Sequence, residues 1–145
     1  MRSSEDFSLA MRQGSRAGTT TVVVHLALPD NPPGHQALVG FVVSKAVGGA
    51  VVRNRVKRRL RAMLAARVGD FPDGARVVVR ALPASAGVTF EELERDLRGA
   101  VGKSARDFFR WCTGAHCRDS RLPALDLADV RSAVSVLSHV LGLCG

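Results

Sequence analysis

Between Asn31 and Gly69 the chain contains no aspartate and no glutamate. That stretch carries Lys45, Arg53, Arg55, Lys57, Arg58, Arg59, Arg61 and Arg67, so the whole formal net charge of +8 arises there and the rest of the 145 residues balance. A segment of one sign repels itself, a cost that a polyanionic partner removes. Phosphate backbones are the commonest such partner. Cysteine is scarce too: the only three are Cys112, Cys117 and Cys144. An odd number, absent from most of the chain, argues against a disulfide framework and for a reducing, cytoplasmic setting. The first residues, MRSSEDFSLA, have no apolar signal core, and no apolar run is long enough to cross a bilayer, so no membrane role is expected. A chain of this length, 46% apolar, buries a core without staples.

Elements are read from spacing and punctuation. Ser3 and Ser4 ahead of Glu5 and Asp6 mark a helix start, and Phe7, Ala10 and Met11 follow at helical spacing to a stop at Gly14. TTTVVVHLAL (19–28) and ALVGFVVS (37–44) read as strands, and the turn-rich loop between them predicts an antiparallel pair. From about Ala50 the period changes: Val52, Val56, Leu60, Met63 and Leu64 form one helical face, with cations on the other sides, to Gly69. ARVVVRALP (75–83) is a further strand. Thr89 with Glu92 is a capping box that opens a helix in which Phe90, Leu93, Leu97, Ala100 and Ser104 continue one face. The order predicts an α+β sandwich, helices packed on a small sheet. A short edge strand, for instance near 45–48, escapes such a reading. Residues 1–110 form the expected domain. The tail, 111–145, differs in composition and holds one amphipathic pattern at about 126–141.

Most charged helix faces mix signs and gain i,i+4 pairs. Here Arg53–Lys57–Arg61 and Arg55–Arg59 are like-charged at that spacing, and nothing acidic relieves them. The stripe Val52–Val56–Leu60 fixes the helix rotation, so the cations fan out along a solvent-facing ridge suited to nucleic acid. Asn54, between two arginines, suits hydrogen bonds to backbone groups and nucleotide edges. Elsewhere the chemistry is thin. His25 lacks a neighbouring carboxylate and reads as a strand residue rather than a nuclease base. His35 sits in a Pro-Gly loop with no specific role. Cys112, His116 and Cys117 lack the paired spacing of a zinc site, so no metal site is expected. Phe108, Phe109 and Trp111 read as core or docking residues.

VGFVVSKAVGGAVVRNRVKRRLR (39–61) resembles the protein subunit of bacterial ribonuclease P. The family's pattern is a G-x-x-V-S-K strand followed by a V-G-x-A-V-x-R-N-R-x-K-R-x-x-R helix. Gly40, Val43, Ser44, Lys45, Val47, Gly48, Ala50, Val51, Arg53, Asn54, Arg55, Lys57, Arg58 and Arg61 match it in place. EDFSLAMRQG resembles the family's first helix, ARVVVRALPAS its later strand and FEELERDLRGAV its last helix, so the likeness spans roughly residues 1–108. The chain departs from the pattern in having Lys45–Ala46 for two lysines, His25 for an aromatic, Leu82 for a basic residue, and only Arg2 for a basic N-terminal run.

The resemblance implies a small central sheet with a left-handed βαβ crossover, the fold type of the second domain of a ribosomal protein, plus the C-terminal appendage. It implies a catalytic RNA bound by Lys45, Arg53, Asn54, Arg55, Lys57, Arg58, Arg59 and Arg61. It further implies that the 5′ leader of precursor tRNA is bound by Phe7, Met11, His25 and Arg80 in a cleft between the first helix and the sheet. Cleavage would belong to the RNA and its Mg2+, with one protein per RNA and no catalytic residue in the protein. Two other readings stay open. A protein-only nuclease needs gathered acids, for which only Asp30, Asp70 and Asp73 lie near the strands. A non-enzymatic, ribosomal-like protein would bind structured RNA on a similar sandwich.

Overall fold

The computed structural model describes residues 4–28, 37–71 and 73–113. Helix α1 spans Ser4–Gln13 and strand β1 Ser15–Gly18, followed by β2 Val22–Ala27 and β3 Leu38–Val43. Helix α2 covers Ala50–Ala65, β4 Arg76–Ala81 and α3 Phe90–Thr113. The tail beyond Thr113, including the pattern at 126–141, lies outside the described residues.

The four strands lie in the order β1-β2-β4-β3. β2 runs antiparallel to β1 and to β4, whereas β3 and β4 are parallel. The antiparallel pair predicted for 19–28 and 37–44 is therefore absent, because β4 lies between those strands. The reason is the connection rather than the strands themselves. Parallel neighbours need a crossover of a dozen or more residues, and α2 supplies it between β3 and β4. This is the βαβ unit that the resemblance implies.

β1 was not legible in the sequence. SRAG has no β-branched residue, and glycine is a poor strand former. The strand exists because tertiary partners hold it: Ser15 pairs with Leu26 across the ladder, and Ser15 Oγ lies 2.8 Å from both the carbonyl oxygen and the Oγ of Ser104 on α3. Gly14 permits the tight passage from α1 into β1. A Cβ there would collide with the Ala10 carbonyl and stand 2.8 Å from that of Leu26. Residues 45–47, where an edge strand was conceivable, form a 3-10 turn. It leaves through Gly48 at φ +148°, a conformation that L side chains rarely adopt.

Each face of the sheet has its own cover. Val22, Val24, Leu26, Val77, Val79 and Ala81 face α2 and α3 in the main core. Leu60, Leu64 and Leu93 are among its fully buried side chains, each stabilising the fold by about 1.5–3 kcal/mol relative to exposure. The other face packs Ala27, Val78 and Val42 against Phe7 and Ala10 of α1. With apolar cover on both sides, all six residues of β2 are buried. The capping box at the start of α3 forms as predicted: the Thr89 amide donates to Glu92 Oε2 at 2.9 Å, and the Glu92 amide donates to Thr89 Oγ1 at 3.2 Å.

Candidate nucleic-acid interface

The rotation of α2 is set by Val56, Leu60, Met63 and Leu64, all buried against the sheet, with Val52 partly buried beside them. That leaves Asn54, Arg55, Lys57, Arg58 and Arg61 exposed. None of Arg53, Arg55, Lys57, Arg58 and Arg61 forms an ion pair with a described residue. The helix starts at Gly49 with no side-chain cap and no acid in its first turn, so the positive end of its dipole adds to the field of the arginines. Lys45 is exposed on the 3-10 turn that leads into it.

Two members of the predicted set differ from the rest. Arg59 is partly buried and donates from Nη1 to the Val88 carbonyl at 3.3 Å, so it ties α2 to the segment before α3. Arg53 is also partly buried, and its Nε is shielded without a hydrogen-bond partner among the described residues. Asn54, Arg53 and Lys57 line a cleft beside β3.

A second surface lies on the α1 side of the sheet. The ladders align Arg16, His25, Val78 and Gly40 in one row, and Gly18, Val23, Arg80 and Val42 in the next. His25 is only 5% exposed, and its Nδ1 is shielded with no hydrogen-bond partner among the described residues. Burial holds its pKa below the ordinary 6.5, and the charges of Arg16 and Arg80 lower it further. The imidazole is therefore neutral at pH 7, held under this face with almost none of its ring open to a partner.

Of the residues predicted for this surface, Phe7 is half-buried in the small apolar cluster under α1. Met11, one helical turn on, is 40% exposed, and Arg80 is exposed on β4. Arg16 was missed. It sits opposite His25, on a strand that the sequence did not disclose. Among the described residues no three His, Cys, Asp or Glu side chains come together. The side chains of Cys112, His116 and Cys117 lie outside the described set, as do those of Phe109 and Trp111. Phe108 is in the core.

A short antiparallel sheet extended by a parallel βαβ unit, with a strongly cationic crossover helix, defines a class of small basic α+β sandwiches. Within it, the sequence profile of the family described as Ribonuclease P matches residues 1–105. The chain is 59% identical over 101 residues to the ribonuclease P protein component of Beutenbergia cavernae, covering 70% of this chain and 83% of that one. It is 50% identical over 106 residues to the corresponding protein of Kocuria rhizophila, covering 73% and 91%. Among solved structures, the Staphylococcus aureus RNase P protein shares the fold with a TM-score of 0.64 at 23% identity, over 74% of this chain and 95% of that one. The Thermotoga maritima RNase P protein matches with a TM-score of 0.58 at 25% identity, over 68% and 91%. The chain belongs to the family of bacterial ribonuclease P protein components. Its role is accordingly that of the protein component of a ribonucleoprotein endonuclease that matures tRNA 5′ ends.

Proposed function

We propose that the two surfaces divide the work of this subunit. The ridge of α2, Asn54, Arg55, Lys57, Arg58 and Arg61 with Arg53 and Lys45, binds the catalytic RNA of ribonuclease P. The α1 side of the sheet, with Phe7, Met11, His25, Arg80 and the added Arg16, binds the single-stranded 5′ leader of precursor tRNA. One observation carries the reading: the cations of α2 lack anionic partners within the described protein, so their counter-charge comes from outside. On the leader side, the exposed Met11, Arg16 and Arg80 around the neutral His25 suit single-stranded RNA, whose bases need apolar contact and whose phosphates need positive charge.

The protein's contribution is then positional and electrostatic. It screens RNA–RNA repulsion and holds the leader so that the scissile phosphate is fixed relative to the catalytic RNA. Mg2+ prefers oxygen ligands, carboxylates and phosphates above all. The side chains named for these surfaces include no carboxylate and do not fit it, so the reading assigns the ion to the RNA. One protein per RNA, in the cytoplasm, completes the proposal. No helix among the described residues is long and apolar enough to cross a membrane.

Cleavage of precursor tRNA by protein alone, RNA alone and both together tests it. The expected result is none from protein alone, and greater efficiency from the pair than from RNA alone. Cleavage by protein alone would establish a protein-only nuclease, and equal rates with and without protein a purely RNA-binding role.

A further inference from the structure

β3 is an edge strand, with no strand partner on its outer side among the described residues. Ala50, Arg53, Asn54 and Lys57, at i, i+3, i+4 and i+7 on α2, flank that edge. Between them and Phe41 and Val43 lies a cleft of about 360 Å³. That is near the lower end of the roughly 300–1,000 Å³ of small-ligand pockets, too small for an RNA duplex and adequate for one nucleotide. Its walls differ in chemistry. One side is apolar, with the half-buried Phe41 ring at the sheet edge. The other offers an amide and two cations, and no carboxylate among the described residues lines the cleft. Arg53 lines it as well, and its guanidinium has no ion-pair partner among the described residues.

An aromatic side chain, an amide with both donor and acceptor, and cations alongside are the three groups that an unpaired nucleotide engages: base plane, base edge and phosphate. We propose that the cleft between β3 and α2 receives a single unpaired nucleotide of RNA, its base against Phe41 and Asn54 and its phosphate against Arg53 and Lys57. The inference rests on the RNA-facing role proposed for α2 and adds to it a specific, partly apolar contact.

A stacking contact and a phosphate contact leave different signatures. Losing a phosphate contact flattens the dependence of affinity on salt, whereas losing a neutral stack lowers affinity without altering that slope. Phe41→Leu keeps an apolar side chain at the sheet edge. Its affinity for the catalytic RNA is expected to fall about tenfold with the salt slope unchanged. Asn54→Ala, at an exposed position, is expected to lose affinity several-fold, again at constant slope, and guards against a folding defect in the first variant. Arg58→Ala, outside the cleft, serves as reference and should reduce the slope. If Arg58→Ala behaves so while Asn54→Ala and a folded Phe41→Leu bind like the parent, the ridge stands and the nucleotide cleft falls. If none of the three changes binding, both fall.

The source of the nucleotide is separated by photocrosslinking from p-azidophenylalanine at position 41, with catalytic RNA, precursor tRNA or AMP as partner. Attachment to one unpaired nucleotide of the catalytic RNA is the expected outcome, and one in precursor tRNA would reassign the source but keep the site. Attachment scattered over paired segments, or to AMP alone, would overturn the proposal.

Discussion

Helices α2 and α3 cover the same face of the sheet and are both amphipathic, yet they spend their polar sides in opposite ways. α3 opens with a capping box and two acids, Glu91 and Glu92, in its first turn. Its Glu94 meets Arg67 and Arg98, each at 3.4 Å, and Asp96 accepts a hydrogen bond from Thr21 at 2.7 Å. α2 has no side-chain cap, no acid and a run of like charges. Apart from Arg59, which donates to the Val88 carbonyl, its polar side stabilises neither the helix nor the domain, so its composition is explained by what it meets outside the fold. Burial, helped by the Arg59 tie, holds α2 in place, and its exposed side chains are left to serve a partner.

The strongest test of that contrast is Val56→Asp. Val56 is 1% exposed, and a carboxylate there faces the core with no partner. The domain is expected to lose about 4 kcal/mol or more and to unfold, which a thermal melt followed by circular dichroism measures. Arg55→Ala, one residue away on the outer side, should leave the melt within about 0.5 kcal/mol of the parent. Its effect appears instead in binding: weaker affinity for the catalytic RNA and a salt slope smaller in magnitude by about 0.9 or less. A melt that collapses with Arg55→Ala would mean that the ridge is structural after all.

Val51→Glu moves α2 toward the design of α3. Val51 is 83% exposed in the first turn, so an acid there complements the dipole and faces Arg55 at i+4. Stability should rise by about 0.3–1 kcal/mol while RNA affinity falls. A rise in both would show that the amino end of α2 lies away from RNA.

The smallest effect belongs to His25. Its folded pKa is lowered below 6.5, so below that pH the unfolded chain takes up the proton more readily than the folded one. The stability associated with neutral His25 is therefore fully present above about pH 6.5 and is lost as pH falls from there toward the folded value. The difference in stability between the parent and His25→Asn, measured by denaturant melts at pH 7.5 and pH 5.5, should shift against the parent at the lower pH. A difference independent of pH would mean that the flanking arginines and burial do not hold the ring neutral.

Local chemistry wrote much of this protein in its sequence. The run of cations without acids, the period that fixes the rotation of α2, the Thr89–Glu92 cap and the β-branched cores of β2 and β4 all act over a few residues, so they are readable in order along the chain. The charge of the candidate RNA surface was legible for the same reason. Contacts between distant residues were not. That β4 separates β2 from β3 follows from α2 folding over the sheet as a crossover. β1 forms from a sequence with little strand propensity because Leu26 and Ser104 hold Ser15. Arg16 reaches the His25 face only through that strand. Arg59 left the ridge for the Val88 carbonyl, and the cleft at Phe41 exists only where an edge strand meets a helix. Each of these is set by which surfaces bury one another, a property of the folded chain and not of any short stretch within it.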